Sequence, residues 1–171
     1  VSIDEQGVTR DSAWFADVFD AYSGQVYRFL RRRMLDGGSV VDADDLTAEV
    51  FAVTWRRRAD IPHDAILAWL YGVARNVLAA HARRQPSTTV AIDDDADDYI
   101  DEMSDPAELV TDSVHLREAW QQLSARERQV LALVAWEGLS EESVAEVLGI
   151  KIGSASSAIS RARQRFRELL S

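Results

Sequence analysis

Along most of this chain apolar residues recur every three or four positions, and no stretch shows the two-residue alternation of a half-buried strand. From Trp14 to Arg33 the apolar positions are Trp14, Phe15, Val18, Phe19, Tyr22, Val26, Phe29 and Leu30, which predicts an amphipathic helix. Asp36-Gly37-Gly38 breaks the pattern. Asp42 is suited to cap a second helix from about Ala43 to Arg58, with Asp44 and Asp45 favourable in its first turn. Its expected interior is Leu46, Val50, Phe51, Val53 and Trp55. Pro62 separates a third helix, from about Ala65 to Arg84. The expected fold class is all-α, without a sheet.

The C-terminal part continues in helical period. A helix is expected from near Asp105 through Trp120 and Leu123. Ser124-Ala125-Arg126-Glu127 has the spacing of a capping box, in which serine accepts from the third helical amide and glutamate reaches back. That next helix should run to about Trp136 and stop at Gly138. Ser140, Glu141 and Glu142 then open a short helix with Val144, Ala145 and Leu148 on one face and Gly149 as its stop. Gly153-Ser154 begins a last helix, with Ile159, Phe166 and Leu170 inward and Arg161, Arg163, Arg165 and Arg167 outward. A short helix, a turn and a cationic second helix make the helix-turn-helix plan, which places its second helix in the DNA major groove. On this segment alone, an αα-hairpin with a solvated basic helix fits as well.

Charge changes that picture. The net charge of −10 is unsuited to DNA until it is divided along the chain. Residues 1–85 carry 11 arginines against 12 acids, and residues 113–171 carry 8 basic against 7 acidic residues. All the excess lies in residues 86–112, with 10 acids and no base. Both flanking blocks are therefore close to neutral and free to present local basic patches. The acidic stretch, from Pro86 through Asp93-Asp94-Asp95-Ala96-Asp97-Asp98 to Pro106, has a linker's composition. It lacks the glycine and terminal glutamate of a calcium-binding EF-hand loop. Two small helical domains, 1–85 and 113–171, joined by a flexible acidic linker over 86–112, are the expected organisation.

Other chemistry is thinly represented. With no cysteine, disulfides and thiolate chemistry are excluded. No apolar run nears the roughly 18 residues of a membrane span, and no signal-peptide core is present, so a soluble cytoplasmic protein without membrane insertion is expected. His63, His81 and His115 are scattered without metal-ligand spacing, and no glycine-rich phosphate loop appears. No enzyme activity, metal or other cofactor is expected.

Three stretches then carry a resemblance to the extracytoplasmic-function (group IV) sigma factors of bacterial RNA polymerase. Asp44-Asp45-Leu46-Thr47-Ala48-Glu49-Val50-Phe51-Ala52-Val53-Thr54-Trp55 is similar to their region 2.2. Trp69-Leu70-Tyr71-Gly72-Val73-Ala74-Arg75-Asn76 is similar to regions 2.3 and 2.4, the most specific of the three. Leu123-Ser124-Ala125-Arg126-Glu127-Arg128-Gln129-Val130, with the helix-turn-helix, is similar to region 4.

The resemblance implies a factor that binds core polymerase through the β′ coiled coil and the β flap, and recognises promoter −10 and −35 elements. Asp45 and Glu49, four apart on one helical face, match acidic positions that dock on the β′ coiled coil. Asn76 matches the position lining the pocket for a flipped base of the −10 element, where an amide offers both donor and acceptor. Arg75, His81, Arg83 and Arg84 would touch the phosphate backbone of that element. Trp69 and Tyr71 could stack on nucleotides, but aromatics at this spacing more often belong to a core, and for Trp69 the core is the favoured reading. On the −35 side the matching residues are Lys151, Ser154, Ser156, Ser157, Ser160, Arg161 and Arg163. In many relatives an anti-sigma factor is a further partner. The acidic linker would thread a basic channel of polymerase, with a solubilising spacer as the alternative.

One departure stands out. Relatives usually begin the recognition helix Gly-Thr-Val, then a basic residue, serine and arginine. Here the stretch is Gly153-Ser154-Ala155-Ser156-Ser157-Ala158, so two expected cations are Ser156 and Ala158. Weak binding to isolated −35 DNA is expected, with promoter choice leaning on Asn76. The other functional readings are a conventional helix-turn-helix regulator and a degenerate sigma-like module that binds only protein.

Overall fold

The helices that follow Asp11, Ser124 and Ser140 start where those side chains cap them, and the last of the three stops at a left-handed glycine. The computed structural model describes residues 2–3, 9–34, 40–84 and 114–171. The linker and the helix start expected near Asp105 lie outside the described residues. Among those described, the chain runs β1 (Ser2–Ile3), β2 (Thr9–Arg10), α1 (Ser12–Arg33), α2 (Val40–Arg56) and α3 (Ile66–Arg84). It continues with α4 (Val114–Gln121), α5 (Ala125–Ala135), α6 (Glu141–Leu148) and α7 (Ile152–Leu169).

The caps explain these boundaries. Asp11 accepts from the amides of Ala13 and Trp14 at 3.0 and 3.1 Å, which starts α1. At α5 the capping box is complete. The Glu127 amide donates to the Ser124 hydroxyl at 3.4 Å, and the Ser124 amide donates to the Glu127 carboxylate at 2.8 Å. Ser140 accepts from the Ser143 amide at 3.2 Å to start α6, and Gly149 ends it at φ 63°, in the left-handed region that glycine enters without steric cost. One expected cap is corrected: α2 begins at Val40, so Asp42 lies inside its first turn rather than ahead of it.

The class is all-α, with one small departure from the absence of any sheet. Ser2–Ile3 and Thr9–Arg10 pair antiparallel, two residues a strand, too short for alternation to register in the sequence. Arg10 holds this ladder to the helices. It is buried, its guanidinium donates to the Arg58 carbonyl, and Arg58 Nε donates back to the Arg10 carbonyl at 3.0 Å. The Arg10 guanidinium also lies 5.1 Å over the Trp14 ring.

Helices α1, α2 and α3 pack mutually around Val26, Phe29, Leu30, Leu46, Val50, Phe51, Leu70 and Leu78. The buried hydroxyls of Thr47 and Thr54 donate back to the carbonyls of Ala43 and Val50, so the interior of α2 holds no idle polar group there. The second block packs α4–α7 around Val130, Leu133, Val144, Leu148 and Ile159. Trp120 meets Trp136 at 4.9 Å and Phe166 at 5.9 Å, closing its far end.

Two apolar expectations are revised. Trp55 and Phe19 are partly exposed, Trp55 packing edge-on against Phe15 and Phe19 edge-on against the buried Phe51. Leu170, expected inward, is exposed because α7 ends at Leu169, past the last buried turn.

The two blocks also touch. Helix α6 lies against α3, so α3 is covered on one side by α1 and α2 and on another by the C-terminal block. This explains why nine of the residues of α3 are buried, more than a single apolar stripe supplies.

Candidate nucleic-acid interface

Helix α3 carries the first part of the candidate site. Trp69, Gly72, Asn76 and Arg83 fall at intervals of three, four and seven residues, so they share one face. Asn76, Arg83 and Arg84 are exposed, whereas Arg75, His81 and Trp69 are half-buried. Arg57, from the loop after α2, places its guanidinium 5.9 Å over the Trp69 ring. The last turn of α3 carries His81, Arg83 and Arg84, where cations complement the negative end of the helix dipole. An exposed amide followed by two exposed guanidiniums on one helix can bind a base edge and the phosphates beside it.

Of the two roles open to Tyr71, the structure gives it the core. It is buried, and its ring already stacks on Phe29 at 4.4 Å and 16°. Its hydroxyl hydrogen-bonds Glu137, and burial, then that carboxylate's charge, push the phenol well above its ordinary range. Trp69 packs against the core cluster.

The docking candidates lie on α2. Asp45 is exposed and Glu49 half-buried, beside exposed Ala48 and Ala52 and continuous with Trp55. The strip is thus acidic at one end and aromatic at the other. Arg58 stacks its guanidinium 4.2 Å over the Trp55 ring.

The second part is the helix-turn-helix of α6 and α7. Ala155, Ile159 and Ala162 are buried and turn the opposite side of α7 outward. That side presents Ser154, Ser157, Ser160 and Arg161, with Arg163, Arg165 and Arg167 farther along, all exposed. Lys151, also exposed, sits at the cap position of α7 and gives it no side-chain cap. Ser157 returns its hydroxyl proton to the Gly153 carbonyl at 2.8 Å. Ser156 and Ala158 are half-buried, and Ala158 packs against the core. At the start of α6 the Glu142 carboxyl is held below its ordinary range by hydrogen bonds from its own amide and the Ser140 hydroxyl.

Sequence reasoning missed Glu137. Its carboxylate bonds Arg32 at 2.5 Å and Arg33 at 3.1 Å, joining the end of α1 to the turn after α5. Burial pulls the Arg33 guanidinium below its ordinary value while Glu137 opposes that pull. Arg33 also caps the Phe29 ring at 3.7 Å. Gly72 approaches Val147 closely: a Cβ on Gly72 would lie 3.9 Å from the Val147 carbonyl oxygen. Glu146, on the same helix, has its carboxyl raised by burial and by the nearby Asp64.

Comparison with known proteins assigns these helices. Residues 18–88 match the family model for sigma-70 region 2, and residues 114–166 match sigma-70 region 4. RNA polymerase sigma-H factor of Pseudomonas aeruginosa is 30% identical over 141 residues, covering 75% of this chain and 73% of that protein. The chain belongs to the extracytoplasmic-function sigma factors. ECF RNA polymerase sigma factor SigE of Mycolicibacterium smegmatis is 30% identical over 153 residues, 87% of this chain but 58% of SigE. This chain thus spans little more than half the length of that relative. By contrast, SigM of Bacillus subtilis is 25% identical over 154 residues, and the match covers 90% of this chain and 93% of SigM. The fold is also that of CnrH, solved with the cytosolic domain of CnrY, at a TM-score of 0.61, 21% identity and coverage of 94% and 90%. RpoE of Bartonella quintana, solved with the anti-sigma factor NepR, superposes at 0.58 with 23% identity, covering 91% and 96%.

Among the described residues no cluster of three or more His, Cys, Asp or Glu is placed to hold a metal ion, and no helix is long and apolar enough to cross a membrane.

Proposed function

We propose that this chain is an alternative sigma factor that binds core RNA polymerase and directs it to promoters with particular −10 and −35 elements. The observation that carries this reading is the coexistence, in one chain, of two separate candidate nucleic-acid faces matched to region 2 and region 4. One is Asn76 with Arg75, His81, Arg83 and Arg84 on α3. The other is the outward stripe of α7, Ser154, Ser157, Ser160, Arg161 and Arg163, flanked by Lys151 and Ser156. A conventional regulator needs only the second.

On this reading the factor does no chemistry. It binds the opened non-template strand better than the duplex, and that difference in affinity drives melting. Asp45 and Glu49 dock on the β′ coiled coil, region 4 meets the β flap, and the working compartment is the cytoplasm. One solved neighbour was captured with the anti-sigma factor NepR and another with the cytosolic domain of CnrY, which supports an anti-sigma factor as a further partner. The blocks 1–85 and 113–171 act as the two functional units, with 86–112 as their connection.

Run-off transcription on genomic DNA with holoenzyme reconstituted from core polymerase tests the reading, and sequencing the transcripts defines both elements. Discrete promoter-specific starts are expected. Core binding without specific initiation would favour the protein-binding module, a reading that the half-buried Ser156 and Ala158 at the expected cationic positions give some support.

A further inference from the structure

Arg57 and Arg58 are neighbours in the turn after α2, and each stacks on a different tryptophan. The Arg57 guanidinium lies 5.9 Å over the Trp69 ring, whereas that of Arg58 lies 4.2 Å over Trp55. Trp69 precedes Asn76 by seven residues on the same face of α3, roughly 10 Å along the axis. Arg57 is exposed, so it adds a cation to the face that carries Asn76. Its Nε pairs with the Asp60 carboxylate at 3.4 Å, with the two side chains 58% and 62% exposed. An ion pair that open is weak, and a phosphate can take the carboxylate's place at little cost.

The N-terminal strand pair holds this turn in shape. Arg10 of β2 is 1% exposed, and its guanidinium donates to the Arg58 carbonyl while Arg58 Nε donates back to the Arg10 carbonyl at 3.0 Å. Arg58 Nη1 also donates to the Trp55 carbonyl at 2.7 Å, and β1 packs on the same turn. A buried guanidinium is costly without such bonds, which ties Arg10 to one arrangement of the turn. The match to sigma-70 region 2 begins at residue 18, so Arg10 lies ahead of the part that this chain shares with the family model.

We propose that Arg10 is a positioning residue for −10 recognition: clasped to Arg58, it fixes the turn after α2 and holds Arg57 over Trp69, where Arg57 meets a phosphate of the single strand read by Asn76. The clasp stands on geometry alone, whereas its use in recognition rests on the sigma reading above.

Holoenzyme assembled with saturating factor supplies the test, using a fluorescent single-stranded oligonucleotide with the non-template −10 sequence of a promoter mapped by run-off transcription. Core polymerase alone sets the background. Arg57→Ala should weaken binding about fivefold at about 0.1 M salt and lower the salt slope by about 0.7, the share of one phosphate on a single strand. Arg10→Met opens the clasp from a site too buried to touch the strand, and should weaken binding about two- to fivefold, the cost of ordering one freed side chain. In the Arg57→Ala background the same substitution should change nothing further.

Equal weakening in both backgrounds would make Arg10 a support of the fold alone and overturn the proposal. So would an Arg10→Met holoenzyme that binds as the parent does. If Arg10→Met does not fold, Arg58→Met loosens the clasp from its half-buried end, and the same cycle decides. If Arg57→Ala changes neither affinity nor slope while Asn76→Ala weakens binding, the proposal falls and the sigma reading stands. Holoenzyme that binds no better than core polymerase would instead overturn the sigma reading, and the positioning role with it.

Discussion

Asn76 is the residue on which the −10 reading depends most, since it is the exposed amide on α3 and the arginines around it carry no sequence information. Replacing it with alanine should leave core binding intact and weaken promoter opening by about 1–3 kcal/mol, the worth of a good base contact. Permanganate reactivity of thymines in the −10 element measures this; unchanged reactivity would remove Asn76 from the pocket. Ser124→Ala is a prediction about folding rather than function. It removes the hydroxyl that accepts from the Glu127 amide, leaves the residue-124 amide free to donate to the Glu127 carboxylate, and should cost about 1 kcal/mol in urea denaturation. The caps at Ser124, Ser140 and Gly149 were legible because each depends on residues within one helical turn. Glu137 was not. It reads as an ordinary surface acid before a glycine, and its partners lie 104 and 105 positions away. Tyr71 was left open between the two roles for a related reason: an aromatic on a buried helix and one awaiting a base have the same spacing.

Helices make the next level of prediction. On α2, Asp45→Lys with Glu49→Lys should weaken competition for core polymerase, because like charge would now face a basic partner. Circular dichroism should be nearly unchanged, since charges that are exposed, as at Asp45, or only half-buried, as at Glu49, contribute little to stability. Normal competition would relocate the docking face, and the neighbouring Trp55 strip is where to look. On α7 the structure redirects the search for missing cations. Ala158 packs against the core, so an arginine there disturbs the helix before it reaches DNA. Ser154 and Ser157 point outward. Ser154→Arg with Ser157→Arg should therefore raise −35 affinity and steepen the salt dependence by about 0.9 log unit per added phosphate contact. A flat response would favour a protein partner for this helix. Helical period placed α1, α3 and the pair α6–α7 within a few residues of their observed ends. It failed at the start of α2, where Asp42 is as well suited to a first turn as to a cap.

At the scale of the molecule, the sequence separated two helical blocks but gave no sign that they meet, because each block's apolar periodicity is satisfied within itself. Only α3 shows the excess, with burial on more than one side. That double burial has a thermal consequence. A helix shared by two cores ties their melting together, so heating the parent should give a single calorimetric transition whose measured enthalpy equals its van't Hoff enthalpy. Glu137→Ala leaves Arg33 without its carboxylate. Its cost is capped at the free energy of parting the blocks, since a separated Arg33 regains water. Once parted, each block melts on its own small core, and the single endotherm should split in two, the lower belonging to whichever block relied more on its neighbour.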